Sequence, residues 1–232
     1  MENAPSTLII GIGNILWADE GFGVRAVEAL HRLYEFPENV TLMDGGTQGI
    51  YLVQHIEAAE VLVILDAIDY GLEPGTVKVI EGDSVPKYLG AKKVSLHQTG
   101  FQEVLAMAEM LGRYPKHVLL VGVQPEDIED FGGSLREKTK ACIEPVLKAA
   151  LDWLEILGIH ASPRLEPLPE SQSLAGGEVG ISQYEASRPE ASKACRVGDE
   201  RVLTQEGRTV GYRPQSVGQD AVSVDVDHRG KY

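Results

Sequence analysis

Four short, almost uninterrupted apolar runs do most to limit what this chain folds into: Thr7–Ile12 (TLIIGI), Val40–Met43 (VTLM), Val61–Leu65 (VLVIL) and Val118–Val123 (VLLVGV). Runs this short, with no polar alternation, suit strands that helices cover on both faces. A fifth run, Thr76–Ile80 (TVKVI), alternates instead, with Lys78 between Val77 and Val79, and it follows a Pro74-Gly75 turn. It reads as an edge strand for which antiparallel pairing is open. Helical periods lie between the runs: Val24, Val27, Leu30 and Tyr34; then Ile50, Val53 and Ile56; then Phe101, Val104, Leu105, Ala108 and Leu111. Ser134 and Glu137 have the spacing of a capping box opening a last helix, whose Pro145 either kinks it or marks a fresh start, and Gly158 ends it after Leu157. Strands alternating with helices predict an α/β fold: a three-layer α/β/α sandwich around a five-stranded, mostly parallel, twisted sheet.

The apolar runs stop at Ser162. From Pro163 the chain is rich in Pro, Gly, Ser, Glu and Arg, a composition that buries too little surface to offset ordering entropy. The expected division is an α/β domain over 1–162 and a polar, largely irregular or disordered tail over 163–232, with Val222, Val224 and Val226 as its one weak strand candidate. The net charge of −14 sits mostly in the first part, where 12 basic residues face 24 acidic ones. Such a surface repels phosphate backbones and anionic membranes, so neither nucleic acid nor membrane is an expected partner. Cys142 and Cys195 have no CxxC spacing, and no run reaches membrane-spanning length. A soluble, cytoplasmic monomer is the expectation.

In open α/β sheets, residues far apart in sequence meet at the carboxyl ends of the strands. Gly11-Ile12-Gly13-Asn14 follows the first strand but fails as a dinucleotide loop, because Leu16 stands where a third small residue is needed and Trp17 would crowd a pyrophosphate. A tight turn with close backbone approach is the better reading. Asp19 and Glu20 enter the first helix, where acids commonly sit for dipole and capping reasons, but here glycines flank them. Asp66 ends the central strand after five apolar residues, a place where a carboxylate is costly to bury unless a cation or hydrogen-bond donor meets it. His97 stands just before the helix carrying Phe101; a lone loop histidine is more often a surface residue than a ligand. Taken together, Glu20, Asp66 and His97 offer two carboxylates and an imidazole, a set that suits nickel, zinc or iron and leaves coordination positions open. The Asp44-Gly45-Gly46-Thr47 turn either caps the next helix or presents backbone N–H groups to a peptide. Asp69 serves either as support for Asp66 or as plain turn chemistry. HExxH, GxSxG and P-loop signatures are absent, and Cys142 has no evident base partner.

Five segments in order, Gly11–Arg25, Asp44–Gly49, Asp66–Gly75, Ser95–Gln98 and Val121–Pro125, closely resemble the nickel–iron hydrogenase maturation endopeptidases, nearest to those serving membrane-bound uptake hydrogenases. The likeness runs from about Thr7 to Leu157. It implies a cytoplasmic protease that removes a short C-terminal peptide from the precursor of the hydrogenase large subunit after nickel has been inserted. It further implies that Glu20, Asp66 and His97 are the metal-binding and catalytic residues, that the nickel arrives in the substrate, with other divalent metals able to occupy the site, and that Asp44, Gly45, Gly46 and Thr47 recognise the substrate. A non-catalytic nickel-sensing chaperone that holds the same precursor stays open at this point.

Overall fold

The computed structural model describes residues 4–89, 96–174 and 176–188; of residues 96–99 and of Tyr88 and Glu178 only the backbone is described. In chain order the elements are β1 (Thr7–Ile12), α1 (Phe22–Leu33), β2 (Tyr34–Glu35), β3 (Val40–Gly46), α2 (Val53–Glu57), β4 (Val61–Ala67), β5 (Val77–Glu81), α3 (Val85–Leu89), α4 (Leu96–Met110), β6 (His117–Val123), α5 (Glu137–Lys140), α6 (Ile143–Ile156), β7 (Ser162–Pro163) and α7 (Ile181–Ser187). Five strands form one sheet in the order β3-β1-β4-β6-β5, parallel except for β5, which runs antiparallel to β6 at the edge.

The expected sandwich is present, and its two cores follow from the period-2 alternation of each strand. Ile9, Val63, Leu65, Leu119 and Val121 face Val27 and Leu30 of α1 and Val146, Ala150 and Leu154 of α6. Leu8, Ile10, Leu62, Ile64 and Leu120 face Ile56 of α2 and Phe101, Val104, Leu105 and Ala108 of α4. In β1 and β4 every residue is buried, which is why their sequences do not alternate. In the edge strand Ile80 is buried and Val79 half exposed, so Ile80 rather than Val79 anchors it. Its entry is a tight turn, with the Thr76 N–H donating to Glu73 O at 3.1 Å, Pro74 at the second position and Gly75 at φ 85°.

Three local expectations change. The Ile50–Ile56 period is a 3-10 turn (Gly49–Leu52) running into the short α2, because Gly49 takes φ 55° and starts the segment with a tight bend; Leu52 and Ile56 are buried and Ile50 is exposed. Ser134 caps nothing: its hydroxyl donates to Glu185 at 2.8 Å, α5 is a single turn, and α6 starts afresh with Pro145 in its first turn, where a missing N–H costs no helix bond. α4 begins at Leu96, so His97 lies in its first turn rather than in the loop before it. Gly158 does end α6. With φ 74° it lets the N–H of Ile159 reach Leu154 O and its own N–H reach Glu155 O, both at 3.0 Å, while Ile159 and Leu154 bury together.

The boundary expected at 162 falls inside β7, which pairs antiparallel with β2. Beyond it the described chain crosses the end of α1 and supplies donors to carbonyls that a helix terminus leaves unmet: Arg164 N–H to Leu33 O at 2.8 Å and Leu168 N–H to Arg32 O at 2.9 Å. Residues 189–232, with the strand candidate at Val222–Val226, lie outside the described residues. Among the described residues no helix is long and apolar enough to cross a membrane.

Candidate active site

Glycine brings the two acids to one place. A Cβ on Gly11 would lie 2.1 Å from Gly23 O, and one on Gly23 would lie 2.0 Å from Leu65 O. The end of β1, the start of α1 and the end of β4 therefore touch backbone to backbone, which no side chain at 11 or 23 would allow. Asp66, the residue after Leu65, is wholly buried near the carboxyl end of β4, paired in register with Gly122 of β6. Glu20 sits in a 3-10 turn (Ala18–Gly21) immediately before α1, its N–H donating to Trp17 O at 2.9 Å and its carbonyl accepting the Asn14 N–H at 3.2 Å. β1 and β4 are neighbours, so Glu20 and Asp66 occupy adjacent strand ends on the carboxyl edge of the sheet.

Asp19 holds that turn in shape. Its wholly buried carboxylate accepts the backbone N–H of Glu126 at 2.8 Å, of Asp127 at 3.0 Å and of Arg136 at 2.7 Å, and the Thr139 hydroxyl at 2.8 Å. These donors satisfy the buried charge and sew the loop after β1 to the loop after β6. Ala18 is driven to φ 43°, which among the described residues no other non-glycine residue adopts. Trp17 forms backbone bridges with Phe131 and Gly133, and its ring lies 5.1 Å from that of Phe131. Arg136 pairs with Asp127 at 2.5 Å and Asp130 at 3.0 Å; the Glu129 N–H and this guanidinium hold the Asp127 carboxyl below its ordinary range.

The Asp44 turn lies alongside. Asp44 is in register with Gly11, and the Gly13 N–H donates to Gly46 O at 3.0 Å. A Cβ on Gly45 would come within 2.7 Å of Ile10, and Gly46 takes φ 46°, so each glycine has a steric reason. Thr47 is exposed. Asp44 Oδ1 is buried without a hydrogen-bond partner, and burial raises its carboxyl above the ordinary value, against the Gly46 N–H and the charge of Arg25. Arg25 in turn bonds Glu28 at 2.9 Å and Val179 O at 2.6 Å and lies over the Tyr184 ring. Burial also raises the Glu28 carboxyl, with Arg25 opposing.

The loop after Asp66 is fixed by Gln124. Its amide oxygen accepts the N–H groups of Tyr70 and Leu72 at 2.8 and 3.1 Å, and its amide nitrogen donates to Asp69 at 2.9 Å. Asp69 also accepts the Gly71 N–H, which helps keep this loop closed. Neither Asp19 nor Gln124 stood out individually in the sequence as an organiser, because their partners lie 52 to 120 residues away.

His97 belongs to the first turn of α4, but its side chain lies outside the described residues. The direction of α4 is clear: its end feeds β6 at the amino edge, and 15 residues of helix, about 22 Å, carry its start back towards the carboxyl edge. There a Cβ on Gly100 would lie 3.8 Å from the Cα of Gly49, just after the Asp44 turn. Among the described residues no three His, Cys, Asp or Glu side chains group closely enough to hold a metal ion.

A family model described as HycI, hydrogenase maturation protease, matches residues 24–153. The chain is 57% identical to the hydrogenase expression/formation protein HupD of Thiocapsa roseopersicina, covering 90% of this chain and 96% of the relative. It belongs to the hydrogenase maturation protease family. The hydrogenase 2 maturation protease of Escherichia coli is 41% identical over 68% of this chain and 95% of its own length. The solved hydrogenase maturating endopeptidase HybD of E. coli superposes with a TM-score of 0.65 at 40% identity, covering 68% of this chain and 97% of that structure. The chain is thus a protease, and the non-catalytic chaperone reading falls away. Of the residues picked out in the sequence, the fold brings Glu20, Asp66 and the Asp44–Thr47 turn to the ends of three neighbouring strands and the backbone of His97 to the helix start nearby.

Proposed function

We propose that this protease removes a C-terminal extension from the large-subunit precursor of a nickel–iron hydrogenase, and that it recognises nickel already bound in that substrate. Membership of the maturation-protease family supports the substrate class. The observation that carries the site is the glycine contact between β1, α1 and β4, which sets Glu20 and buried Asp66 on adjacent strand ends. Glu20, Asp66 and His97 supply oxygen and nitrogen donors to an ion whose other ligands belong to the substrate. A carboxylate buried as deeply as Asp66 gains most from meeting such a cation. Nickel held there polarises the scissile carbonyl or acidifies a water, and one of the two carboxylates serves as the base. Binding the ion also fixes the scissile peptide beside these groups, so selectivity comes from position rather than from a strong nucleophile. The Asp44–Thr47 turn binds the peptide next to them, with Thr47 exposed at its tip.

The experiment is to incubate the protein with nickel-loaded and nickel-free precursor and weigh the products. Loss of the C-terminal peptide only from the loaded form is the expected result; equal cleavage of both would remove the nickel requirement, and cleavage of neither would remove the substrate. Glu20→Gln and Asp66→Asn are expected to lower the processing rate by about 10²–10⁴-fold with unfolding midpoints unchanged. Wild-type rates in both variants would sink the site assignment.

A further inference from the structure

The loop after β1 carries a feature that neither the carboxylates nor the fold requires. Leu16 and Phe131 keep 44% and 42% of their surfaces exposed, and Trp17 lies half-buried between them. Single exposed apolar side chains are ordinary, but several held together on one surface mark a place of contact. Here the backbone holds them out: the Gly132 N–H donates to Leu16 O at 2.7 Å, Trp17 bridges Phe131 and Gly133, and Asp19 locks the same two loops from beneath. The cluster stands one turn from Glu20, whose N–H bonds Trp17 O. Rigid aromatic and aliphatic groups already in place are what a binding anchor needs, since little side-chain freedom is lost on contact.

We propose that Leu16, Trp17 and Phe131 form a preorganised anchor that docks an apolar segment of the precursor, fringed by basic side chains, beside Glu20 and Asp66. This rests on the function proposed above. The chemistry of the occupant follows from the surroundings. Glu126, Asp127, Glu129 and Asp130 border Phe131; Arg136 pairs with Asp127 and Asp130 and Lys138 lies 4.0 Å from Glu126, so four acids face two bases and the border keeps an acidic excess. A facing surface must bring positive charge to this border. A second copy of a chain with net charge −14 would set acid against acid, and an anionic lipid surface would do the same.

The test is steady-state processing of nickel-loaded precursor by Leu16→Ala/Phe131→Ala, with Met110→Ala/Ile156→Ala as the control, since those two apolar residues are still more exposed, at 83% and 82%, and lie towards the opposite, amino edge of the sheet. The expected result is a KM raised about tenfold with kcat within twofold, an unchanged unfolding midpoint, and no change in the control. A KM within twofold of wild type, or a loss confined to kcat, would overturn the anchor. Absence of processing by the wild-type protein would instead count against the proposed function, so the two failures are distinguishable.

Discussion

Two neighbouring segments on the carboxyl edge, the turn after β1 and the glycine turn that closes β3, treat an aspartate in opposite ways. Asp19 in the first receives three backbone N–H groups and a hydroxyl, while Asp44 in the second has an oxygen, Oδ1, that is buried with no hydrogen-bond partner. Both turns use glycine for close approach, and the Gly13 N–H donates to Gly46 O between them. The difference separates building from function. A carboxylate saturated with donors has no capacity left for a ligand and makes a rigid base, here for Glu20 in the same 3-10 turn. A carboxylate kept short of donors costs stability when the protein is empty and gains when something binds.

The largest effect expected from this contrast is on stability. Asp19→Ala strands three backbone N–H groups and the Thr139 hydroxyl in a buried place, and should cost about 3–5 kcal/mol, read as a lowered urea midpoint with unchanged slope. Asp44→Ala should cost no stability within about 0.5 kcal/mol, or should raise it, because it removes a half-buried carboxylate with one oxygen, Oδ1, short of a donor. Equal losses in the two variants would erase the distinction. The next effect is on processing. Asp44→Ala should raise the KM for precursor about tenfold and leave the folded state intact, whereas Asp19→Ala should lose kcat as the Glu20 turn loosens. A KM unchanged in Asp44→Ala would take the second turn out of substrate recognition.

The same contrast explains what the sequence makes legible. β1 and β4 are readable because a strand covered on both faces is a continuous apolar word, and Asp66 is conspicuous because it ends one. Glycine at 11 and 13 is readable as close approach, though not that the approaching atoms belong to Gly23 and Glu20. Asp19 is hidden: a helix-entry acid looks the same whether it caps its own helix or ties Glu126, Asp127 and Arg136, more than 100 residues away. The segment after Pro163 is hidden for a related reason. Its composition lacks a strong apolar stripe; beyond the packing of Leu174 and Ile181 on the core, it is fastened to α1 by backbone donors meeting Leu33 O and Arg32 O and by the Arg25 guanidinium meeting Val179 O. Hydrogen bonds of that kind leave no periodic trace in sequence.

The smallest effect is a pH dependence, and its sign separates Asp44 from Asp127 in the loop after β6. Asp44 has a folded pKa raised by burial, so between its ordinary value of 3.8 and that raised value the folded protein binds more protons than the unfolded one. Stability from this group therefore rises as pH falls from neutral through the raised pKa, and levels off near 3.8. Glu28, raised by burial and facing Arg25, Asp44 and Glu170, acts in the same direction down to 4.5. Asp127, lowered by the Glu129 N–H and Arg136, acts oppositely: its contribution is complete above 3.8 and is lost only as pH drops through the depressed value. Asp44→Asn should therefore be more stable than wild type at pH 7 by about 1 kcal/mol or less, with the gap closing as pH is lowered towards 4. Paired urea unfolding curves at pH 7, 6, 5 and 4 read this directly. A gap that widened on acidification would mean that Asp44 is better satisfied in the folded protein than its buried Oδ1 indicates, and the two turns would then differ in geometry but not in energy.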